Sequence, residues 1–177
     1  MNTAVAAPLQ RAQKLAQASS TVAVIAAIML VITAALDVAA PGLRAVPDLT
    51  RGWEGTLALI NIVGAQLLLA LPSFILAGVC FDLSRVLREY AAGRFFTRRA
   101  SAGVRKAGEG ILWAMAFQCV LSPTLYSIVA EGARGRAFSV RFETFDLGLI
   151  ALGFFIMVMG RVLQAAAALK AENDEIV

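Results

Sequence analysis

Apolar residues fall into four long runs, 20–40, 57–81, 111–130 and 144–163, separated by shorter polar segments. Crossing roughly 30 Å of hydrocarbon at 1.5 Å per helical residue takes about 20 residues, and all four runs reach that length. The second and third contain no charged side chain. Lipid offers backbone groups no partners, so the runs predict helices, and the ten-residue alternation of a membrane β-barrel is not seen in the sequence. The expected fold is all-α: one polytopic membrane domain over residues 1–177 with four transmembrane helices. The first run also has a second reading as a signal peptide, because Arg11 and Lys14 precede it and small residues cluster at Ala39 and Ala40. Its length exceeds the ~7–15-residue core of a cleaved signal, and a helix starting after Ser19 and Ser20 suits a retained anchor better.

Past Phe81 the pattern changes without losing its helical period. Val79, Leu83, Val86, Leu87 and Tyr90 continue one apolar face while Asp82, Arg85, Arg88 and Glu89 take the other. Span two is therefore expected to leave the membrane as a helix, stop at Gly93 as C′, and turn through Arg94, Phe95 and Phe96. Thr97 is the expected N-cap of a helix that returns into span three. Along that helix Ala100, Gly103, Ala107, Gly110 and Ala114 form a seam of small side chains that lets another backbone approach closely. The short turn makes the two helices antiparallel neighbours, so the expected partner of the seam is the Leu83, Leu87 and Tyr90 face; docking of a separate protein is the alternative. Phe95 and Phe96 either plug the hairpin tip or make an interfacial or partner contact.

Charge gives the orientation. Lys and Arg number two in the amino-terminal tail, seven in the loop around the hairpin and two in the carboxyl tail, against five in the other two loops. The positive-inside rule then puts both termini and the hairpin, residues 82–110, in the cytoplasm, with the chain multi-pass in the membrane. The same loop accounts for the net charge of +4 without nucleic acid, and stacking aromatics are not interleaved with its basic residues. Its arginines enforce topology and touch anionic headgroups, or recognise a partner; Arg94, Arg98, Arg99 and Arg105, with Phe95 and Phe96, are the candidate contacts.

Composition removes most chemistry. Hydrophobic residues make up 59% and charged ones 16%, too apolar for an ordinary soluble enzyme. There is no histidine, hence no usual general base, proton shuttle or imidazole metal ligand. Cys80 and Cys119 lack CxxC spacing and read as small packers. No catalytic, metal or cofactor-binding residue is expected.

Leu87, Arg88, Glu89 and Tyr90, then Gly93, Arg94, Phe95, Phe96 and Thr97, then Val104, Arg105, Lys106, Ala107 and Gly108, form a run that resembles the cytoplasmic motif of the bacterial domain of unknown function 2975 family. The closing residues Leu169, Glu172, Asn173, Asp174 and Val177 are similar to that family's carboxyl end. The resemblance covers the half of the chain from about Cys80 onward, departing at Ala100 and Glu175. It implies a four-span inner-membrane protein without assigned activity, whose relatives are frequently encoded beside a small helix-turn-helix regulator.

The remaining polar groups leave alternatives. Glu172, Asp174 and Glu175 oppose the macrodipole at a helix end, so the tail either frays or is pinned by Arg98, Arg99 or Arg105. The outer loops, 41–55 and 131–143, are too short for a core, and Trp53 and Tyr126 suit interfacial anchors. Pro72 and Pro123 should kink spans two and three, opening a pocket or freeing carbonyls that a neighbour satisfies. Asp37 and Asp146 lie near outer span ends and could line a vestibule. The expected function is a non-enzymatic scaffold or regulatory partner acting through the hairpin and tail, with the small helix-turn-helix regulator as candidate partner and the lipid bilayer as solvent. A small transporter or channel component using Asp37 and Asp146 is the alternative.

Overall fold

The computed structural model describes residues 3–45, 52–94, 97–125 and 140–176, all helices and connecting turns, with no strand among them. Four helices follow in order: α1 (Thr3–Ala45), α2 (Trp53–Ala91), α3 (Arg98–Ala116) and α4 (Thr144–Ile176). Each packs mainly on its neighbour in sequence, α1 on α2, α2 on α3 and α3 on α4. The outer pair, α1 and α4, is thus covered on one side only. Ile25, Met29, Ile32 and Leu36 of α1 and Phe154, Phe155, Val158 and Val162 of α4 stay exposed. That much uncovered apolar surface needs an apolar solvent. Among the described residues three segments, Gln10–Ala40, Ile60–Ala91 and Thr144–Asn173, are long and apolar enough to cross a membrane.

α1 does not start late. It is helical from Thr3, because the residues before Ser19 are mostly Ala, Leu, Gln, Lys and Arg, which favour helix. Ser20 does not cap it either: its Oγ donates to the Ser84 carbonyl at 3.2 Å, in a buried bond between α1 and α2. That bond sets the register of a seven-residue repeat. Ser20, Ala27 and Ala34 are buried on α1; Ala70, Ala77 and Ser84 are buried on α2. With the chains antiparallel, the two sets lie level and bring the backbones close, as small residues allow in lipid.

The small seam of α3 does face α2, as its spacing predicts. Over its two glycines, however, the knobs are Val86 and Val79 rather than the expected Leu83, Leu87 and Tyr90. A Cβ on Gly103 would lie 2.5 Å from Val86 Cγ2, and one on Gly110 would lie 2.5 Å from Val79 Cγ2. Valines seven apart keep one line along the helix, whereas Leu87 and Tyr90 are rotated off it; Leu83 packs at the edge of the same cluster with Ala107, Ile111, Ala114 and Met115.

The opposite face of α3 meets α4 more closely still. A Cβ on Gly160 would fall 2.5 Å from the Arg105 nitrogen and 2.6 Å from its Cα; one on Gly108 would press on the Met157 backbone and lie 2.8 Å from the Gly153 oxygen.

Beyond Ala116 the helix takes a π turn, Phe117–Leu121, in which the Ser122 N–H reaches the Phe117 carbonyl. Pro123 supplies the reason: it has no N–H for the Cys119 carbonyl. That carbonyl accepts instead from the Arg141 N–H at 3.0 Å, just before α4. The freed group is satisfied by a neighbour, one of the two outcomes expected for Pro123. α2 continues through Pro72 as a single helix. α4 stays helical to Ile176, so the acidic end has not frayed from Glu172 onward.

Candidate functional site: the hairpin tip

α2 ends on a Schellman turn. Gly93 takes φ +78°, its N–H reaches the Tyr90 carbonyl at 2.9 Å, and the Arg94 N–H reaches the Glu89 carbonyl at 3.0 Å. An L side chain at Gly93 would be strained there. Thr97 then caps α3, its Oγ1 accepting from the Ala100 N–H at 3.1 Å. The same hydroxyl donates to Glu89 Oε2 at 3.0 Å, and Arg99 Nε stands 3.8 Å from Glu89 Oε1. Glu89 therefore ties the last turn of α2 to the first turn of α3. Thr97→Ala removes both the cap and the bond to Glu89, and should cost about 1 kcal/mol in thermal or denaturant unfolding; an unchanged midpoint would mean that the turn holds without it.

Below the tip, Asp82 receives Lys106 and Arg85, each at 3.2 Å, and Arg105 reaches Glu109 at 2.8 Å. These pairs use up the described hairpin carboxylates Asp82, Glu89 and Glu109. Arg88, Arg94 and Arg98 are exposed and have no ion-pair partner among the described residues. α1 adds to this end: Gln13 Nε2 lies 3.1 Å from where a Gly93 Cβ would stand, so Arg11 and Lys14, also unpaired among the described residues, flank the turn.

Of the sequence candidates, Arg94, Arg98 and Arg99 gather at the tip. Arg105 does not: its backbone is pressed against Gly160, and its Nε is buried without a hydrogen-bond partner. Phe95 and Phe96 lie outside the described residues, as do Tyr126 and the side chains of Asp174 and Glu175. The described partners of Arg99 and Arg105 are Glu89 and Glu109, not Glu172 of the tail. Asp37 and Asp146 sit on different helix pairs. Asp146 stands in the first turn of α4, where its Oδ2 accepts the Glu143 N–H at 2.9 Å and its carboxylate meets the Cys119 thiol. Its capping role suits the positive end of the helix dipole. Asp37 lies in a cleft between α1 and α2 with Gln66 and Ser73.

Sequence reasoning missed Glu89, the approach of α1 to the turn, and the Gly153 and Gly160 contact with α3. The two glycines were legible as a seven-residue repeat in span four. Glu89 stands in the sequence only as one residue of the polar face of its helix.

A family model described as a protein of unknown function (DUF2975) matches residues 46–177. The chain belongs to the DUF2975 family. The match extends the resemblance upstream from Cys80 and takes in α2, α3 and α4, including the hairpin. The motif glycine and threonine of the DUF2975 hairpin are thus the left-handed stop of α2 and the cap of α3 in this member. No curated protein and no solved structure matches the chain.

Proposed function

We propose that this DUF2975 member is a non-enzymatic, four-span protein of the bacterial inner membrane, with both termini cytoplasmic, that binds or regulates a cytosolic protein through its hairpin and tail. The fourth crossing would be the third apolar run, which continues from α3 through the π turn. The orientation is supported by the excess of Lys and Arg at the hairpin end.

The observation that carries the reading is the reach of unpaired charge. Gly93 is twelve residues beyond Phe81 along α2, about 18 Å at the helical rise. The interfacial layer adds only about 5–7 Å on each side of the hydrocarbon. With span two ending at Phe81, as its run of uncharged residues suggests, Arg94 and Arg98 would stand beyond the headgroup phosphates, which favours an acidic protein surface over lipid as their partner. The fixed geometry of the Glu89 and Thr97 turn lowers the ordering cost of such a contact. A small helix-turn-helix regulator held at the membrane is the partner we propose, on family resemblance.

Crosslinking in intact membranes, followed by identification of the captured protein, tests this. Arg94→Glu with Arg98→Glu should reduce capture by about tenfold, as expected when charges at an interface are reversed. Undiminished capture would remove the tip from the contact.

A further inference from the structure

α1 and α4 each present a second face, turned away from the rest of the chain. On α1, opposite Ser20, Ala27 and Ala34, Leu15, Val22, Ile25, Met29, Ile32 and Leu36 are exposed. With exposed Arg11 and Ala18 they follow one another at alternating steps of four and three. On α4, opposite Gly153 and Gly160, Phe155, Val158, Val162 and Leu169 are exposed, and with exposed Ala151, Ala165 and Glu172 the steps again alternate. That spacing is the seam of a helix that packs along another. Within the chain α1 lies on α2 and α4 on α3, and the two outer helices do not pack on each other.

The two seams are complementary. As first and fourth of an alternating series, α1 and α4 run in opposite directions, so copies inserted the same way present them antiparallel. Setting Ile25 beside Val162 puts Leu36 against Ala151, Val22 against Ala165 and Ala18 against Leu169, a large side chain facing a small one in each layer. The same register sets Glu172 beside Leu15, next to Arg11 and Lys14.

Contacts within the chain give the same levels independently. Gly160 lies against Arg105, which is eight residues after Thr97; Glu172 is twelve after Gly160, so it stands four residues past Thr97. Thr97 bonds Glu89, Gly93 is four residues past Glu89, and Gln13 reaches Gly93. Glu172 is therefore level with Gln13 and Lys14 to within about a turn. Charge also matches. Residues 1–36 hold Arg11, Lys14 and no acid. The end of α4 holds Glu172, Asp174 and Glu175 against Lys170, with no base in the last turn, where the macrodipole disfavours acids. Arg11, Lys14 and Glu172 are exposed and have no ion-pair partner among the described residues. Lipid can cover the apolar faces, but it does not account for opposite charges at one level on the two edges of the row.

We propose that α1 of one copy packs along α4 of a second copy, Ile25 beside Val162, with Arg11 and Lys14 beside the acidic end of α4. A contact between two different surfaces repeats from copy to copy and closes into a ring when the rotation allows. It does not rest on the partner proposed for the hairpin, and it leaves Arg94 and Arg98 free.

The test co-expresses two differently tagged full-length chains, one with Ile25→Cys and the other with Val162→Cys, and oxidises the membranes with copper phenanthroline. Both positions are exposed in the single chain, and chains with only the native Cys80 and Cys119 set the background. A disulfide joining the two tags is expected. Ile25→Cys with Phe155→Cys, displaced by about 10 Å along the seam, should give at least about tenfold less, because a disulfide cannot span that offset. Arg11→Glu with Lys14→Glu in every chain should lower the yield about fivefold, the upper end for an exposed pair, and adding Glu172→Lys with Asp174→Lys should restore it. A yield no higher than background would leave lipid over both faces and overturn the contact. Equal yield from the displaced pair, or a yield indifferent to the charge changes, would overturn it as well.

Discussion

Gly160→Ala should destabilise the protein by about 3 kcal/mol, near the upper end of what overpacking usually costs, although it adds a single methyl group. The methyl would have to occupy space 2.5–2.6 Å from the nitrogen and Cα of Arg105. Those are backbone atoms of a helix, and no rotamer change can move them. Relief comes only by parting α3 from α4 along their whole contact, which forfeits the dispersion energy of every neighbouring pair. Gly108→Ala should behave similarly, since its methyl meets the Met157 backbone and the Gly153 carbonyl. The two substitutions strain one seam, so the double variant should lose less than the sum of the singles. Thermal unfolding in detergent measures this; a fall in Tm of about 5–10 °C is expected for each single variant of this size. A wild-type Tm for either would mean that α3 and α4 can part at little cost.

Gly103→Leu should cost about 1–3 kcal/mol, and unlike the previous case it should be partly rescued from the other helix. Here the obstacle is a side-chain methyl, Val86 Cγ2, 2.5 Å from the added Cβ. Val86 is buried, and as a β-branched residue in a helix it has essentially one rotamer, so it cannot turn aside. Removing those methyls should make room. Gly103→Ala combined with Val86→Ala is expected to recover most of the stability lost by Gly103→Ala alone. Gly160→Ala should have no such partner. If Val86→Ala adds its own cost without any rescue, the seam of α3 does not receive its knobs from Val86.

Much of this was legible in the order of residues. The hairpin shows why: a helix stop and a helix start are encoded locally, so Gly93 and Thr97 could be assigned from their neighbours alone. The small seam was equally visible, because Ala100, Gly103, Ala107, Gly110 and Ala114 mark one face by spacing. The helical state of residues 3–19 was missed because Ser19 and Ser20 look like a cap. A serine hydroxyl is read as local when nothing in the sequence shows that a second helix stands opposite. For the candidate site, the positions of Arg94, Arg98 and Arg99 follow from the turn. The inward placement of Arg105 does not, because the α4 glycine beside it is 55 residues later in the chain.

Sequence alone determined that this chain is helical and solvated largely by an apolar medium, where the hairpin turns, and which face of α3 is narrow. Those properties depend on composition, period and local backbone preference, all of which act over a few residues. Tertiary structure alone decided that Val79 and Val86 fill the seam, that Arg141 takes up the carbonyl left by Pro123, that Glu89 ties the turn, and that Asp146 holds the Glu143 N–H at the start of α4. Each of these depends on the rotation and register of one helix against another. A difference of one residue turns a helix by about 100°, enough to exchange one set of contacts for the next.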